Sequence, residues 1–339
     1  MTKVVKSVDR YLEAIKAKQS ILCMGCDPQI DRLPRHLFDI FLRQCTDPFE
    51  AVARAVAAFY QDEIDAVCDI VPWVKPQSAF FEQLGPWGMW ALEQIIAHAS
   101  KRGLIVILDA KRCDGGDTAR AYAQAYLGSV TLPFMAKMPF VTRPSPLRAE
   151  AVTIQPYIGT DGVMPFVEAG RQSGGMPIVV VKTSFKRPDV PCSEVEMLML
   201  AEGIPAWQAV AKLVDQWSRG TEGECGLRNV GAVMGATFPE DVPTMRAILP
   251  YNWLLVPGFG SQGGGADDAV LGALTSGFGI TVNSSRDLNY AFSNQKRPDF
   301  TGDPRGFAEC CRNAALHDRY QLNVALRRAG KGDGFLLAT

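Results

Sequence analysis

The stretch "LDAKRCDGGDTARAYA", Leu108 to Ala123, follows the apolar run "LIVI" and sets Asp109, Lys111 and Asp114 where a buried strand should end. Asp109 and Lys111 are two residues apart, so on a strand both side chains project from the same face. Asp27 ends the run "ILCMGC", and Lys75 ends "IVPWV". Four charges, Asp27, Lys75, Asp109 and Lys111, thus fall on three consecutive strand ends. A lysine at the rim of a core is costly unless a carboxylate pairs with it. The spacing therefore predicts one mutually neutralising, reactive cluster rather than scattered surface charge. Asp114 falls in the turn entering "TARAYAQAYL", where it is also expected to act as helix N-cap.

A second set of residues suits an anion. "PGFGSQGGG", Pro257 to Gly265, offers flexible backbone whose N–H groups can face a phosphate, and Arg286 in "NSSR" adds a bidentate donor. Gly258, Gly260 and Gly263 also match G-x-G-x-x-G, with Arg286 as a partner for a 2′-phosphate. Position weighs against a dinucleotide, because that fingerprint opens a Rossmann unit and here it follows the seventh of eight expected strands. Cys23 and Cys26 form a lone C-x-x-C without a second pair at metal spacing, which reads as two buried, inert thiols. Cys310 and Cys311 read as helix packing, and Cys113 as an exposed thiol. None of His36, His98 and His317 stands at a strand end, which speaks against histidine acid–base chemistry. The aromatics Trp73, Phe80 and Phe81 are expected to pack the core.

The elements that must position these residues alternate along the chain. Eight short apolar runs, "ILCMGCDP", "DIVPWVKP", "LIVILDAKR", "AVTIQPY", "IVVVKTS", "VGAVMGAT", "WLLVPGFG" and "GITVNSS", suit strands buried on both faces of a parallel sheet. Helical patterns lie between them. "PFEAVARAVAAFYQDEIDAV" carries Val52, Val56, Phe59, Ile64 and Val67 at three- and four-residue spacing. "MWALEQIIAHASKRG", "DGVMPFVEAG", "PAWQAVAKLVDQW", "PEDVPTMRAIL" and "ADDAVLGALTSG" continue the alternation. The pattern predicts a (β/α)8 TIM barrel, α/β in class, in which reactive residues occupy the C-terminal ends of the strands. Those ends are Asp27, Lys75, Asp109 with Lys111, Ser184, Thr237, the glycine loop and "NSSR".

We read residues 1–339 as a single domain, with the barrel over about 20–290, a closing helix over about 304–328 and a frayed tail beyond it. Long connections run from Met138 to Ala151 and from Phe185 to about Ile204. Composition sets the outer bounds. With 47% hydrophobic and 21% charged residues, the chain can bury a large core. Lys plus Arg is 35 against 36 Asp plus Glu, so the net charge of −1 gives no electrostatic reason to expect nucleic acid or an anionic membrane. No run approaches the ~18 apolar residues of a membrane span, and the first twenty residues lack the apolar region of a signal peptide. Nine scattered cysteines suit reduced thiols, hence a cytoplasmic location.

Taken together the quoted stretches resemble the orotidine 5′-phosphate decarboxylases. "LDAKRCDGGDTARAYA" carries that family's D-x-K-x-x-D signature. "GCDP", "VKPQSAFFEQLG", "VVVKTS", "GAVMGAT", "VPGFGSQGG" and "VNSSR" follow in the family's order, from about Gly25 to Arg286 and close to its longer bacterial-type subgroup. The resemblance implies conversion of orotidine 5′-phosphate to UMP and carbon dioxide, the last step of de novo pyrimidine synthesis, by a homodimer with sites at its interface and no metal or organic cofactor. It assigns Lys111 as the proton donor to C6, places Asp109 near the substrate carboxylate, and completes a Lys-Asp-Lys-Asp array with Lys75 and Asp114. Asp114 and Thr118 would reach the neighbouring subunit's site. Asp27 and Lys75 would hold ribose hydroxyls and Ser184 the pyrimidine. Gln262 and Arg286 would hold the phosphate, with Pro257, Gly263 and Ser285 beside them.

The chain departs from the family pattern in two places. Gly115 and Gly116 follow Asp114 where Ile-Gly is usual, removing an apolar side chain expected near the partner's pyrimidine. "FKRPDV" follows Ser184 in place of Asn-Pro. The extra segments, about 139–150, 185–204 and 287–339, carry no assignment. Two rival readings remain. The 3-keto-gulonate phosphate decarboxylases and hexulose phosphate synthases share D-x-K-x-x-D but need Mg²⁺, and Lys75 stands where their metal-binding acid would be. A non-catalytic nucleotide-binding barrel would not need the Lys75, Asp109, Lys111, Asp114 array.

Overall fold

Each of the eight apolar runs forms a strand, because each is buried on both faces and rich in residues that fit a pleated wall. They are β1 (Leu22–Cys26), β2 (Trp73–Pro76), β3 (Ile105–Arg112), β4 (Ala151–Ile154), β5 (Met176–Lys182), β6 (Arg228–Met234), β7 (Asn252–Val256) and β8 (Ile280–Ser284). The computed structural model describes residues 4–133, 140–185, 194–295 and 303–336. In it the strands pair in parallel, each with its sequence neighbours, and β8 returns to β1 to close the barrel. This is the (β/α)8 architecture, with helices between consecutive strands.

The helix Pro48–Val67 starts where its residues dictate: Asp47 accepts the Phe49 N–H at 2.9 Å, and Pro48 occupies a first-turn position. Val56, Phe59, Ile64 and Val67 are buried, so the expected spacing is the packed face. The helix Gly116–Leu127 differs from expectation at its start. Asp114 is not its N-cap: its carboxylate accepts the N–H of Gly115, one residue too early, and Gly115 takes the cap position. "ADDAVLGALTSG" yields only one helical turn, Ala266–Ala269. Beyond it Gly272, Gly277 and Gly279 break the pattern, while Val270 and Ala273 stay buried in tight turns.

Three features were not legible in the apolar pattern. The helix Ser7–Lys18 closes the bottom of the barrel, where Tyr11 packs edge-on between Trp73 and Trp253 at 5.4 and 5.0 Å. A two-stranded antiparallel hairpin, Ser129–Leu132 with Val141–Pro144, projects after the helix Gly116–Leu127; Met138, where the long connection was taken to begin, lies outside the described residues. The tail is not frayed through Leu336. Gly332 and Gly334 donate N–H groups to Thr275 and Ser276, and Phe335 packs on Phe278 with ring centres 5.5 Å apart. The closing helix itself runs Phe307–Arg328, with Cys310 and Cys311 buried in its packing face.

One buried acid lies behind β1. Glu63, on the helix Pro48–Val67, accepts the Asn289 side-chain amide at 3.1 Å and meets the Cys311 thiol. Burial pushes its carboxyl well above the usual range, more than those two bonds lower it. The folded chain therefore holds this proton more tightly than the unfolded chain does. The resulting stability is complete below the ordinary glutamate range near pH 4.3 and is lost as pH rises. Glu63→Gln is thus expected to raise Tm by about 2–4 °C at pH 8 and to leave it nearly unchanged at pH 4. Equal shifts at both pH values in thermal melts would contradict this.

Candidate active site

The strand-end charges converge on one cleft of about 180 Å³ at the C-terminal mouth of the barrel. Its lining includes Asp27, Lys75, Asp109, Lys111, Ser184, Pro257, Gln262, Ser285 and Arg286. A larger depression, about 770 Å³, lies at the opposite end around Arg10, Glu13 and Glu150. Size does not decide between them: of the two, the mouth is the one lined by the buried charges Lys75 and Asp109 and by the unpartnered Asp27 Oδ1 and Asn283 Oδ1.

Asp109 is the centre of the cluster. Its Oδ2 accepts from Lys75 Nζ at 2.8 Å, and its Oδ1 accepts from Lys111 Nζ at 2.6 Å and from Thr153 Oγ1 at 2.7 Å. Burial alone would raise the Asp109 carboxyl, but the two ammonium groups outweigh it and hold the group well below the usual carboxylate range. Burial likewise opposes the Lys75 charge, and Asp109 and Asp27 overcome it, so Lys75 is raised and stays cationic. Lys75 and Asp109 are almost fully enclosed, whereas the Lys111 side chain is 36% exposed toward the mouth. One lysine is thus a buried counter-ion and the other a reachable one.

Local backbone explains how Lys111 gets there. Its φ is +46°, in the left-handed region, and the β3–β4 register shifts between Leu108 and Arg112. A left-handed lysine costs about 1–2 kcal/mol. The Lys111 N–H donates to Thr153 Oγ1 at 3.1 Å, so the same hydroxyl braces both the backbone kink and the carboxylate. Gly25 is required for close approach: a Cβ there would lie 1.9 Å from Ser285 Oγ, displacing the turn that leads to Arg286.

At the other side of the cleft, Ser184 Oγ donates to Gln262 Oε1 at 2.7 Å. Arg286 is exposed and its side chain makes no ion pair or hydrogen bond among the described residues, which leaves its guanidinium available to an anion. Asp27 Oδ1 is buried and has no hydrogen-bond partner among the described residues, a state that costs about 1–3 kcal/mol unless a ligand satisfies it. Gly263 belongs to the same loop but does not line the cleft. Asp114 and Thr118 are exposed beside the mouth and do not line it either.

The chain matches the model of the orotidine 5′-phosphate decarboxylase / HUMPS family over residues 57–278. It belongs to this family. Relatives named orotidine 5′-phosphate decarboxylase include one from Rhodopirellula baltica, 41% identical with 91% of this chain and 96% of the relative covered. Another, from Caldicellulosiruptor bescii, is 36% identical over 86% of this chain and 92% of its own. The solved structure of Leishmania donovani OMP decarboxylase superposes with a TM-score of 0.63 at 28% identity, covering 92% of this chain and 98% of that one. The family match contains the Lys75–Asp109–Lys111 cluster and the glycine loop, while Asp27, Ser285 and Arg286 lie outside its bounds.

Two expectations from the sequence hold and one, for Phe80, does not. The dinucleotide fingerprint fails on topology, since Gly258–Gly263 follows the seventh strand of a closed barrel rather than opening a Rossmann unit. Phe80, expected to pack the core with Trp73 and Phe81, instead lines the cleft. Thr153, Gln77, Thr183 and Asn283 also line it and were not singled out from the sequence. The strand-end rule could have found Thr153, one residue before the end of β4, and Asn283, one residue before the end of β8. Cys23 and Cys26 are buried thiols, and burial pushes Cys23 up to about 12 and Cys26 up as well, so neither is a ready nucleophile.

Proposed function

We propose that this chain decarboxylates orotidine 5′-phosphate to UMP and carbon dioxide, closing de novo pyrimidine synthesis without a metal or organic cofactor. The observation that carries the reading is the Lys75–Asp109–Lys111 array opening into the same cleft as the unpaired Arg286. Arg286, with Gln262 and the glycine loop, takes the phosphate. Asp27 and Lys75 take ribose hydroxyls, and Ser184 faces the pyrimidine. Pro257, Gly263 and Ser285 shape the phosphate end.

The chemistry follows from charge. The C6–carboxylate bond breaks, carbon dioxide leaves, and the electron pair stays on C6. The Lys111 ammonium stabilises that carbanion and then transfers a proton to C6, recovering one from water after product release. Asp109, held ionised by its two lysines, sits where the substrate carboxylate must lie. Two like charges ~4 Å apart at an effective dielectric of ~20 repel by about 4 kcal/mol, a push relieved as carbon dioxide departs. Binding at the distant phosphate holds the ring against this repulsion.

We infer further that two copies share each site. Asp114 and Thr118 are exposed, as are Tyr157 and Ile158, and Ile158 lies close to Asp114 across Gly162. Gly115 packs near Ile158, since a Cβ at Gly115 would meet Ile158 Cγ2 at 3.4 Å. Nine cysteines scattered without framework spacing support a reducing, cytoplasmic location. No described helix is long and apolar enough to cross a membrane.

The direct test is the absorbance change of orotidine 5′-phosphate on incubation with EDTA-treated protein. Turnover is expected without added metal. No turnover, or a strict Mg²⁺ requirement, overturns the proposal in favour of the sugar-phosphate branch of the family.

A further inference from the structure

The short helix Arg286–Asn289 carries the phosphate-binding arginine, and its neighbour Asp287 does something Arg286 does not. Asp287 Oδ2 accepts the backbone N–H of Ser261 at 2.7 Å, joining two segments that lie far apart in the chain. The fit is close. Gly260, at φ +76°, would place a Cβ 2.1 Å from that same oxygen, so the carboxylate fills the space that any other residue would need. The loop is also folded on itself: Gly260 donates to Gly264 O, Gly263 to Gly260 O and Gly264 to Gly258 O, at 2.8–3.0 Å.

The base of this contact is rigid. Asn289, at the end of the same helix, is fully buried; its Oδ1 accepts from Tyr60 and its amide donates to Glu63. Asp287 therefore ties a loop with four glycines, Gly258–Gly264, to a fixed point. Glycine loses more conformational freedom on ordering than any other residue, so an unanchored loop would have to be ordered by the ligand. Gln262, next to Ser261, is delivered to Ser184 by the same arrangement.

We propose that Asp287 is a positioning residue: it clamps the Gly258–Gly264 loop in its anion-binding shape before the 5′-phosphate arrives. This rests on the phosphate reading of the cleft. Asp287 itself does not line the cleft, so it acts on the phosphate end through the loop.

Calorimetric titration with UMP, together with thermal melts and steady-state kinetics, tests it. Asp287→Ala is expected to weaken UMP binding and raise KM by about 10–50-fold with kcat within about threefold, because the loop must then be ordered by the ligand. Asp287→Asn keeps an acceptor for Ser261 and is expected to bind UMP within about threefold of the wild type. Gly260→Ala attacks the same contact from the loop side and is expected to weaken UMP binding as Asp287→Ala does, which keeps the test alive if the alanine variant is unstable. Wild-type affinity in Asp287→Ala overturns the clamp, as does a loss in Asp287→Asn equal to that in the alanine variant. If the wild-type protein neither binds UMP nor turns over orotidine 5′-phosphate, the decarboxylase reading fails instead.

Discussion

Lys111→Ala is expected to fold, to bind UMP within about tenfold of the wild type, and to lose kcat/KM for orotidine 5′-phosphate by at least about 10⁴-fold. Lys111 is the more exposed member of the cluster, and its removal leaves Asp109 still paired with Lys75 and Thr153. No buried charge is orphaned, so Tm is expected to change by no more than about 2 °C. Turnover loses two contributions at once. General acid catalysis is typically worth 10²–10⁴-fold, and a preorganised group facing developing charge about 10²–10³-fold, the two overlapping because one ammonium supplies both. Residual activity within about 100-fold of wild type would remove Lys111 from the proton-donor role. The same variant probes subunit sharing. Mixed with Asp114→Ala after subunit exchange, it forms hybrid dimers in half the population, each with one intact and one doubly altered site. About a quarter of the sites then regain function. If every mixture stays inactive while hybrids demonstrably form, Asp114 does not act in the partner's site.

The sequence carried the barrel because its strands are buried on both faces and therefore read as continuous apolar runs; all eight became strands. It carried the charge cluster because strand ends are the only part of such a wall that reaches the mouth. What it concealed depends on partners distant in the chain. Phe335 docks on Phe278, and Tyr11 sits between Trp73 and Trp253, and neither pairing has a local signal. The kink that makes Lys111 left-handed is invisible to a period-two reading, which nonetheless placed Lys111 beside Asp109. Asp287 was hidden for the same reason: its meaning is the N–H of Ser261 and the missing side chain of Gly260, not its own neighbours. Asp114 shows the converse error. A carboxylate before a helical pattern suits an N-cap, yet here it turns onto Gly115 and leaves the cap to glycine.

Removing Asp109 is expected to have the largest effect on the fold itself. Asp109→Ala leaves Lys75, enclosed on all sides, without its close carboxylate, and breaking one partner of a buried pair typically costs about 3–5 kcal/mol. The pH dependence separates this from simple loss of packing. In the wild type the depressed Asp109 contributes stability that is present above the ordinary aspartate range and is lost only as pH falls through its folded value. The raised Lys75 contributes stability that is complete below its ordinary range and is lost only in strong alkali. Between those limits this pair adds no slope of its own to the wild-type curve from about pH 5 to 9. In Asp109→Ala, burial acts on Lys75 with its main counter-charge gone and lowers it, so the folded chain binds fewer protons than the unfolded one. The stability lost in the variant, measured against the wild type at the same pH, then shrinks as pH rises across the neutral and alkaline range. Adding Lys75→Met to Asp109→Ala is expected to recover most of the lost stability, because it removes the uncompensated ammonium, while turnover stays abolished in both. Denaturant melts of the wild type, the single variant and the double variant at pH 6 and pH 9 measure this. An Asp109→Ala variant as stable as the wild type, or a double variant no more stable than the single one, would show that Asp109 and Lys75 are not a mutually dependent buried pair.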